Sequence, residues 1–449
     1  MENWADSAIF YHIYPLGLTG APANNDFKEP PLQRLDVLLA WLPHIRKLGA
    51  NALYLGPIFR STAHGYDTAD YWHLDPRLGT DETLKYFVTA AHAAGLRVVL
   101  DGVFNHVGRD FWAFRDVLDK GATSQFCSWF AGLDFHGHSP YGDPFTYEAW
   151  SGCYDLVKLN LHNPDTRNHL LAAVGSWIND FDIDGLRIDA ADVTDLGFLA
   201  ALAGHAKAIK PDFWLFGEVV HGDYRAWANP ATLDSITNYE CYKGLWSSLV
   251  SHNYFEIAYS LDRQFGPEGI YRGLPLYNFV DNHDQDRVAS KLGETHLLAP
   301  LYLLLFTMPG RPSIYYGSEW GLRGVRGDGD DRPVRPALDL ASAPALGSEP
   351  ELASLITRLS AIRLASSALL GGDYREAFVA PEQLAFVRQS SDETVAVLIN
   401  ASPDEVEMTV KLPWSGEWED LLNGPSFHAY DDYLRCLVPA GGGRILRAK

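Results

Sequence analysis

Sulfur is scarce in this 449-residue chain, which holds four cysteines and three methionines. Cys127, Cys153, Cys241 and Cys436 stand far apart with no C-x-x-C spacing, so a disulfide framework is not expected. Reduced thiols in a cytoplasmic protein fit this usage. No uninterrupted run of about 18 apolar residues occurs, so no membrane span is expected. The opening "MENWADSAIFYHIYPLG" lacks a basic n-region and a long apolar h-region, so no secretory leader is expected either. Positive charge is in deficit: 36 Lys and Arg face 57 Asp and Glu, a formal net charge of -21. That argues against nucleic acid and anionic membranes, both of which select basic patches. A neutral ligand remains compatible. Also missing is any GxGxxG or Walker-type loop after an early strand, which weakens the case for a doubly wound open sheet.

What is present is an ordinary globular composition, 47% hydrophobic, with 13 Trp and 22 Tyr. Strand signals recur at 9–16, 50–58, 97–104, 183–189, 213–219, 234–238, 277–282 and 312–317. Between many of them lie amphipathic stretches such as "RLDVLLAWLPHIRKLG" and "DETLKYFVTAAHAAG", each closed by a glycine at a helix C-cap. Eight strands alternating with helices predict a (β/α)8 barrel. Residues 107–160 are too long for a loop and too irregular for one βα unit, so an inserted subdomain is expected there. From about 370 the pattern alternates polar and apolar residues, as in antiparallel strands with one solvated face. The expected division is therefore barrel 1–106, insertion 107–160, barrel 161–369 and a C-terminal β domain 370–449.

In "FDIDGLRIDAADV", residues 181–193, Arg187 and Asp189 sit two apart and share one face of a strand. Buried charge is costly unless paired or used. In a barrel, strand C-terminal ends form the active site, and Asp101, Asn105–His106, Arg187, Asp189, Glu218 and His283–Asp284 all fall at such ends. Such a cluster suits glycoside cleavage by a retaining mechanism. Arg187 would keep Asp189 ionised as nucleophile, while Glu218, ending the apolar run "FWLFGE", would hold a proton for the leaving group. Asp284 would stabilise the oxocarbenium-like charge.

The stretches "DGVFNH", "GLRIDAADV", "GEVVHG" and "FVDNHD" resemble, in order, the four signature regions of the α-amylase superfamily, glycoside hydrolase family 13. "HGYDTADY", "LVKLN" and "GRPSIYYGSEWG" are similar to its accessory motifs. The resemblance implies Asp189 as nucleophile, Glu218 as acid/base, Asp284 as transition-state stabiliser, and Tyr66, His106, Arg187 and His283 around the sugar being cleaved. Asp101 and Asn105 would buttress the loop carrying His106. The fold implied is a barrel with an inserted B domain after strand three and a C-terminal β-sandwich.

"LVKLN" is similar to the "MPKLN" of the cyclomaltodextrinase, neopullulanase and maltogenic amylase group. Lys158 takes the place of a calcium-binding aspartate in classical amylases and would repel a cation, so no metal and no cofactor are expected. "GEVVHGDYRAW" resembles the group's acid/base region and adds His221 to the expected substrate contacts. Strand one begins almost at once, where that group carries an N-terminal β domain through which it dimerises. Dimerisation by that route is not expected, and a homodimer of another kind stays open. "DAADV" and Ser318 depart from the group's pattern. Hydrolases of cyclic maltosyl-(1→6)-maltose resemble this group and can lack the N-terminal domain. The expected substrate is a short or cyclic α-glucan cleaved mainly at α-1,4 bonds. A transglycosylase using the same acids and a non-catalytic glucan-binding protein are the alternatives. The twelve aromatics of the insertion are expected to be mostly core, with a few facing sugar. "HGH" (136–138) and "GDGDD" (327–331) read as solvated loops rather than metal sites.

Overall fold

The computed structural model describes residues 3–449. Its centre is a ring of eight parallel strands: β1 Phe10–Ile13, β2 Ala52–Leu55, β3 Arg97–Gly102, β4 Gly185–Ile188, β5 Trp214–Gly217, β6 Ser235–Ile236, β7 Tyr277–Asn278 and β8 Arg311–Tyr315. They pair in the order β6-β5-β4-β3-β2-β1-β8-β7. A parallel bridge from Thr237 to Tyr277 and the bond from Asn238 N–H to Tyr277 O (2.9 Å) close the ring. All eight predicted strands are found.

Several are shorter than the sequence signal. β1 ends where Pro15 opens a helical turn, Pro15–Leu18. The stretch after β7 leaves the ladder because its polar groups bond locally, Asp284 N–H to Asn282 Oδ1 and Val288 N–H to Asp281 Oδ2 (both 2.9 Å). The amphipathic stretches fold as expected, as a 3-10 turn Arg34–Ala40 running into helix Trp41–Lys47, and as helix Asp81–Ala93. Gly49 follows the first at φ 88°, and a Cβ there would lie 2.4 Å from Ser360 Cβ.

Strand periodicity sorts the barrel interior into layers. Low in the barrel, Phe10, Tyr54, Trp214, Phe216 and Tyr277 fill the bore with stacked and edge-on rings, Phe216 and Tyr277 at 4.6 Å. Two residues beyond Phe10, Val99, Gly185 and Phe216, the same faces carry His12, Asp101, Arg187 and Glu218. The register sets Asp101 beside Arg187 and Arg187 beside Phe216. Gly185 lets the strands meet, since a Cβ there would lie 2.4 Å from Trp214 O.

After β3 the chain leaves the barrel through a two-stranded ribbon, His106–Gly108 against Leu156–Lys158, with helix Trp112–Lys120 between them. Beyond the barrel come β9 Asp373–Val379, β10 Gln383–Gln389, β11 Thr394–Asn400, β12 Val406–Lys411, β13 Gly416–Asp420, β14 Ser426–Ala429, β15 Tyr433–Val438 and β16 Gly442–Ala448. β9-β10-β11-β16-β13-β14 form one antiparallel sheet and β12-β15 a second. Trp418, Leu398, Val410 and Leu434 pack between them, which makes a sandwich. Arg388 of β10 docks this domain by donating to Thr307 O at 2.6 Å.

Candidate active site

A cavity of about 1130 Å³ opens at the C-terminal ends of the strands, lined by Asp189, Glu218, Asp284, Tyr66 and His106 among others. Its floor is organised by one guanidinium. Arg187 Nη1 lies 2.9 and 3.1 Å from the two oxygens of Asp101 and 3.0 Å from Asp189 Oδ1. Its Nη2 lies 2.7 Å from Glu218 Oε2. The buried charge pair of strand β4 is thereby answered: one cation serves three acids contributed by three neighbouring strands.

Two expectations change. Arg187 is divided among Asp101, Asp189 and Glu218, so it does not hold Asp189 ionised by itself. Burial, reinforced by the charges of Glu218, Asp101 and Asp284 and opposed by Arg187, pushes the Asp189 carboxyl up. Asp101 is an anchor for Arg187 rather than a buttress of the next loop; it also accepts Tyr54 OH (2.8 Å) and Tyr66 OH (3.0 Å). Asn105 does support that loop, donating through its amide to His106 Nδ1 (3.3 Å).

That bond leaves the proton of His106 on Nε2, which has no other partner and faces Asp189 Oδ2 at 3.8 Å. Burial, with His64 nearby, lowers His106 to about 3, so it is a neutral donor at ordinary pH. The backbone after Asp189 is unusual: Ala190 sits at φ 46°, a region that non-glycine residues seldom adopt. This turn aims the Ala190 N–H at Glu218 Oε2, 3.2 Å away.

On the opposite wall His283 Nε2 lies 2.9 Å from Asp284 Oδ2 and also meets Tyr66 OH, whose ring stacks on the imidazole. Arg335 Nη2 contacts Asp284 Oδ1 at 2.7 Å and Asp331 Oδ2 at 2.9 Å. Burial works against ionisation of Asp284, but His283 and Arg335 outweigh it and hold the carboxyl well below the usual range.

Asp189, Glu218, Asp284, Tyr66 and His106 are thus brought to one cavity. Arg187 and His283 lie behind its lining and act through the acids. His221 is not brought in: it is exposed on the loop after Glu218, where Val220 lines the cavity instead. Arg335 and Tyr239 escaped the sequence reading, and so did the place of "GDGDD". Gly329, Asp330 and Asp331 line the cavity rim, so this exposed turn also forms part of the wall. Of the twelve aromatics in the insertion, Trp150 alone lines the cavity, its ring 5.6 Å from that of His106. Lys158, in the ribbon, pairs with Glu148 at 2.9 Å. His136 and His138 are exposed, and no group of three or more potential metal-binding side chains occurs among the described residues.

Residues 35–361 match the family model of the α-amylase catalytic domain, and residues 379–436 that of the α-amylase C-terminal all-β domain. The chain belongs to the α-amylase family of glycosidases. It is 30% identical to a cyclomaltodextrinase of Geobacillus thermopakistaniensis over 98% of this chain and 76% of that one. It is equally similar to neopullulanase 2 of Thermoactinomyces vulgaris, over 99% and 78%. Among solved structures, the cyclic α-maltosyl-(1→6)-maltose hydrolase of Arthrobacter globiformis matches at 27% identity and a TM-score of 0.83, covering 99% of both chains.

Proposed function

We propose that the protein is a retaining hydrolase of α-1,4 bonds in short or cyclic maltooligosaccharides, cyclic maltosyl-(1→6)-maltose among them. The carrying observation is the meeting of Asp189, Glu218 and Asp284 at one cavity. End-to-end similarity to a hydrolase of that ring supports the substrate class.

In the first step the Asp189 carboxylate bonds to the anomeric carbon as the glycosidic C–O bond breaks, and the proton of Glu218 passes to the leaving oxygen. The pair must enter this step with one proton, on Glu218, and the cation developing at the anomeric carbon favours Asp189 as the charged member. Asp284, held ionised, faces that cation. In the second step Glu218 takes a proton from water, whose oxygen displaces Asp189 and restores the α-anomer. His106 offers a neutral donor to a ring hydroxyl, and Tyr66, whose own proton goes to Asp101, lines the cavity. No metal enters the scheme, and Lys158 in the insertion's ribbon supports leaving it out. The four free cysteines support a reducing compartment.

The segment 326–337 and the insertion wall the cavity, which suits a compact ring better than a long chain. Incubation with the cyclic tetrasaccharide, maltooligosaccharides and starch, with products followed by chromatography and NMR, tests this. The expected outcome is an initial α-anomer, products shorter than the substrate and a kcat/KM on the ring about tenfold above that on starch. An initial β-anomer eliminates retention, longer products indicate transfer, and equal attack on starch removes the ring preference.

A further inference from the structure

We propose that Tyr239 is a positioning residue that holds the carboxyl of Glu218 in register with Asp284 through a bridge over Asn282. The inference rests on the glycosidase reading above and extends it to a residue outside the signature motifs.

Tyr239 begins the helix Tyr239–Val250, directly after β6. Its base is rigid. The buried Asn238 side chain donates to Asn278 Oδ1 (2.9 Å) and Gln264 Oε1 (3.0 Å) and accepts Cys241 N–H (3.2 Å), which ties the helix start to β7. The Tyr239 ring is packed edge-on by Phe279 at 5.0 Å and Tyr242 at 5.8 Å. Its hydroxyl has therefore little freedom, and it lies 3.2 Å from Glu218 Oε1.

The direction of the chain is fixed by chemistry. Asn282 Oδ1 accepts the backbone N–H of Asp284 at 2.9 Å, which points the amide Nδ2 toward Tyr239 OH at 3.4 Å. An amide N–H only donates, so the phenol spends its lone pair on Asn282 and its proton on Glu218. Burial, with Glu218 and Asp284 nearby, pushes the Tyr239 hydroxyl up and keeps it a donor. Glu218 Oε2 is meanwhile held by Arg187 and the Ala190 N–H. The two carboxyl oxygens are thus fixed from opposite sides, and the Tyr239 side leads through Asn282 to the segment that carries Asp284.

A positioning role predicts a selective defect. Protonation of a sugar leaving group depends on the placement of the acid, whereas fluoride departs with little need of a proton. The test is Tyr239→Phe, which keeps the ring and removes the hydroxyl. Its kcat/KM is measured on maltotriose and on α-maltosyl fluoride, and its thermal midpoint is compared with that of the parent. We expect a loss of about 10- to 100-fold on maltotriose, a change of about twofold or less on the fluoride, and an unchanged midpoint. Equal losses on both substrates, or no loss on maltotriose, would overturn this inference alone. A parent inactive on both would overturn the glycosidase reading and this inference with it.

Discussion

At the scale of single residues, the site is a matter of how few cations serve how many acids. Arg187, Arg335 and Arg326 stand against Asp101, Asp189, Glu218, Asp284 and Asp331, and the first two guanidiniums each touch more than one carboxylate. Arg335→Met would leave Asp284 with His283 as the remaining side chain at its carboxyl oxygens and free that carboxyl to move. Steady-state kinetics should show kcat/KM down by about 100-fold with the fold intact; an unchanged value would remove Arg335 from the site. Trp150 contributes differently, by presenting an indole that is 36% exposed at the cavity wall. Trp150→Ala should raise KM by about tenfold, equivalent to about 1.4 kcal/mol, and leave kcat within about twofold. A fall in kcat with KM unchanged would contradict a binding role. The strand-borne residues were legible in the sequence because a period of two fixes which side chains share a face. Arg335 and the choice of Trp150 among the insertion's aromatics were not, because both residues lie on irregular segments whose direction only tertiary packing decides.

At the scale of elements, both ends of the barrel strands carry charge, and the two ends do different work. Asp184, just before β4, is fully buried at the base. It accepts Val98 N–H (2.8 Å), His92 Nε2 (2.7 Å), Arg97 Nη1 (2.8 Å) and Lys210 Nζ (2.9 Å). Burial opposes its ionisation, but His92, the Val98 amide and Lys210 prevail and hold it well below the usual carboxylate range. A carboxyl whose folded pKa is depressed contributes stability that is present above its unfolded value, about 4, and is lost as pH falls below it. Asp184→Asn should therefore cost about 2–3 kcal/mol in denaturant unfolding at pH 7, with the gap to the parent narrowing below about pH 4. A gap independent of pH would contradict this. The sequence placed Asp184 in a strand without revealing its partners, which come from helix Asp81–Ala93, β3 and the residue after helix Leu196–Ile209. The strands of the barrel were readable as elements, but the lengths of β6 and β7 were not, since closure of the ring rather than propensity decides where those ladders stop.

At the scale of the whole molecule, the barrel supplies the acids while the insertion and the segment 326–337 supply the walls. Function was therefore legible in the sequence earlier than specificity. The proposed reacting groups occur in short motifs at the ends of β4, β5 and β7, whereas the cavity's shape depends on parts distant in sequence that meet only in the folded chain. The central claim is that Asp189 bonds to the sugar while Glu218 and Asp284 stand on either side. Its most direct test is to incubate the protein with 5-fluoro-α-maltosyl fluoride, digest it and map the label by mass spectrometry. One sugar per chain, attached through an ester to Asp189, is the predicted result. A label on Glu218 or Asp284, or turnover to an initial β-anomer with no ester formed, would contradict it.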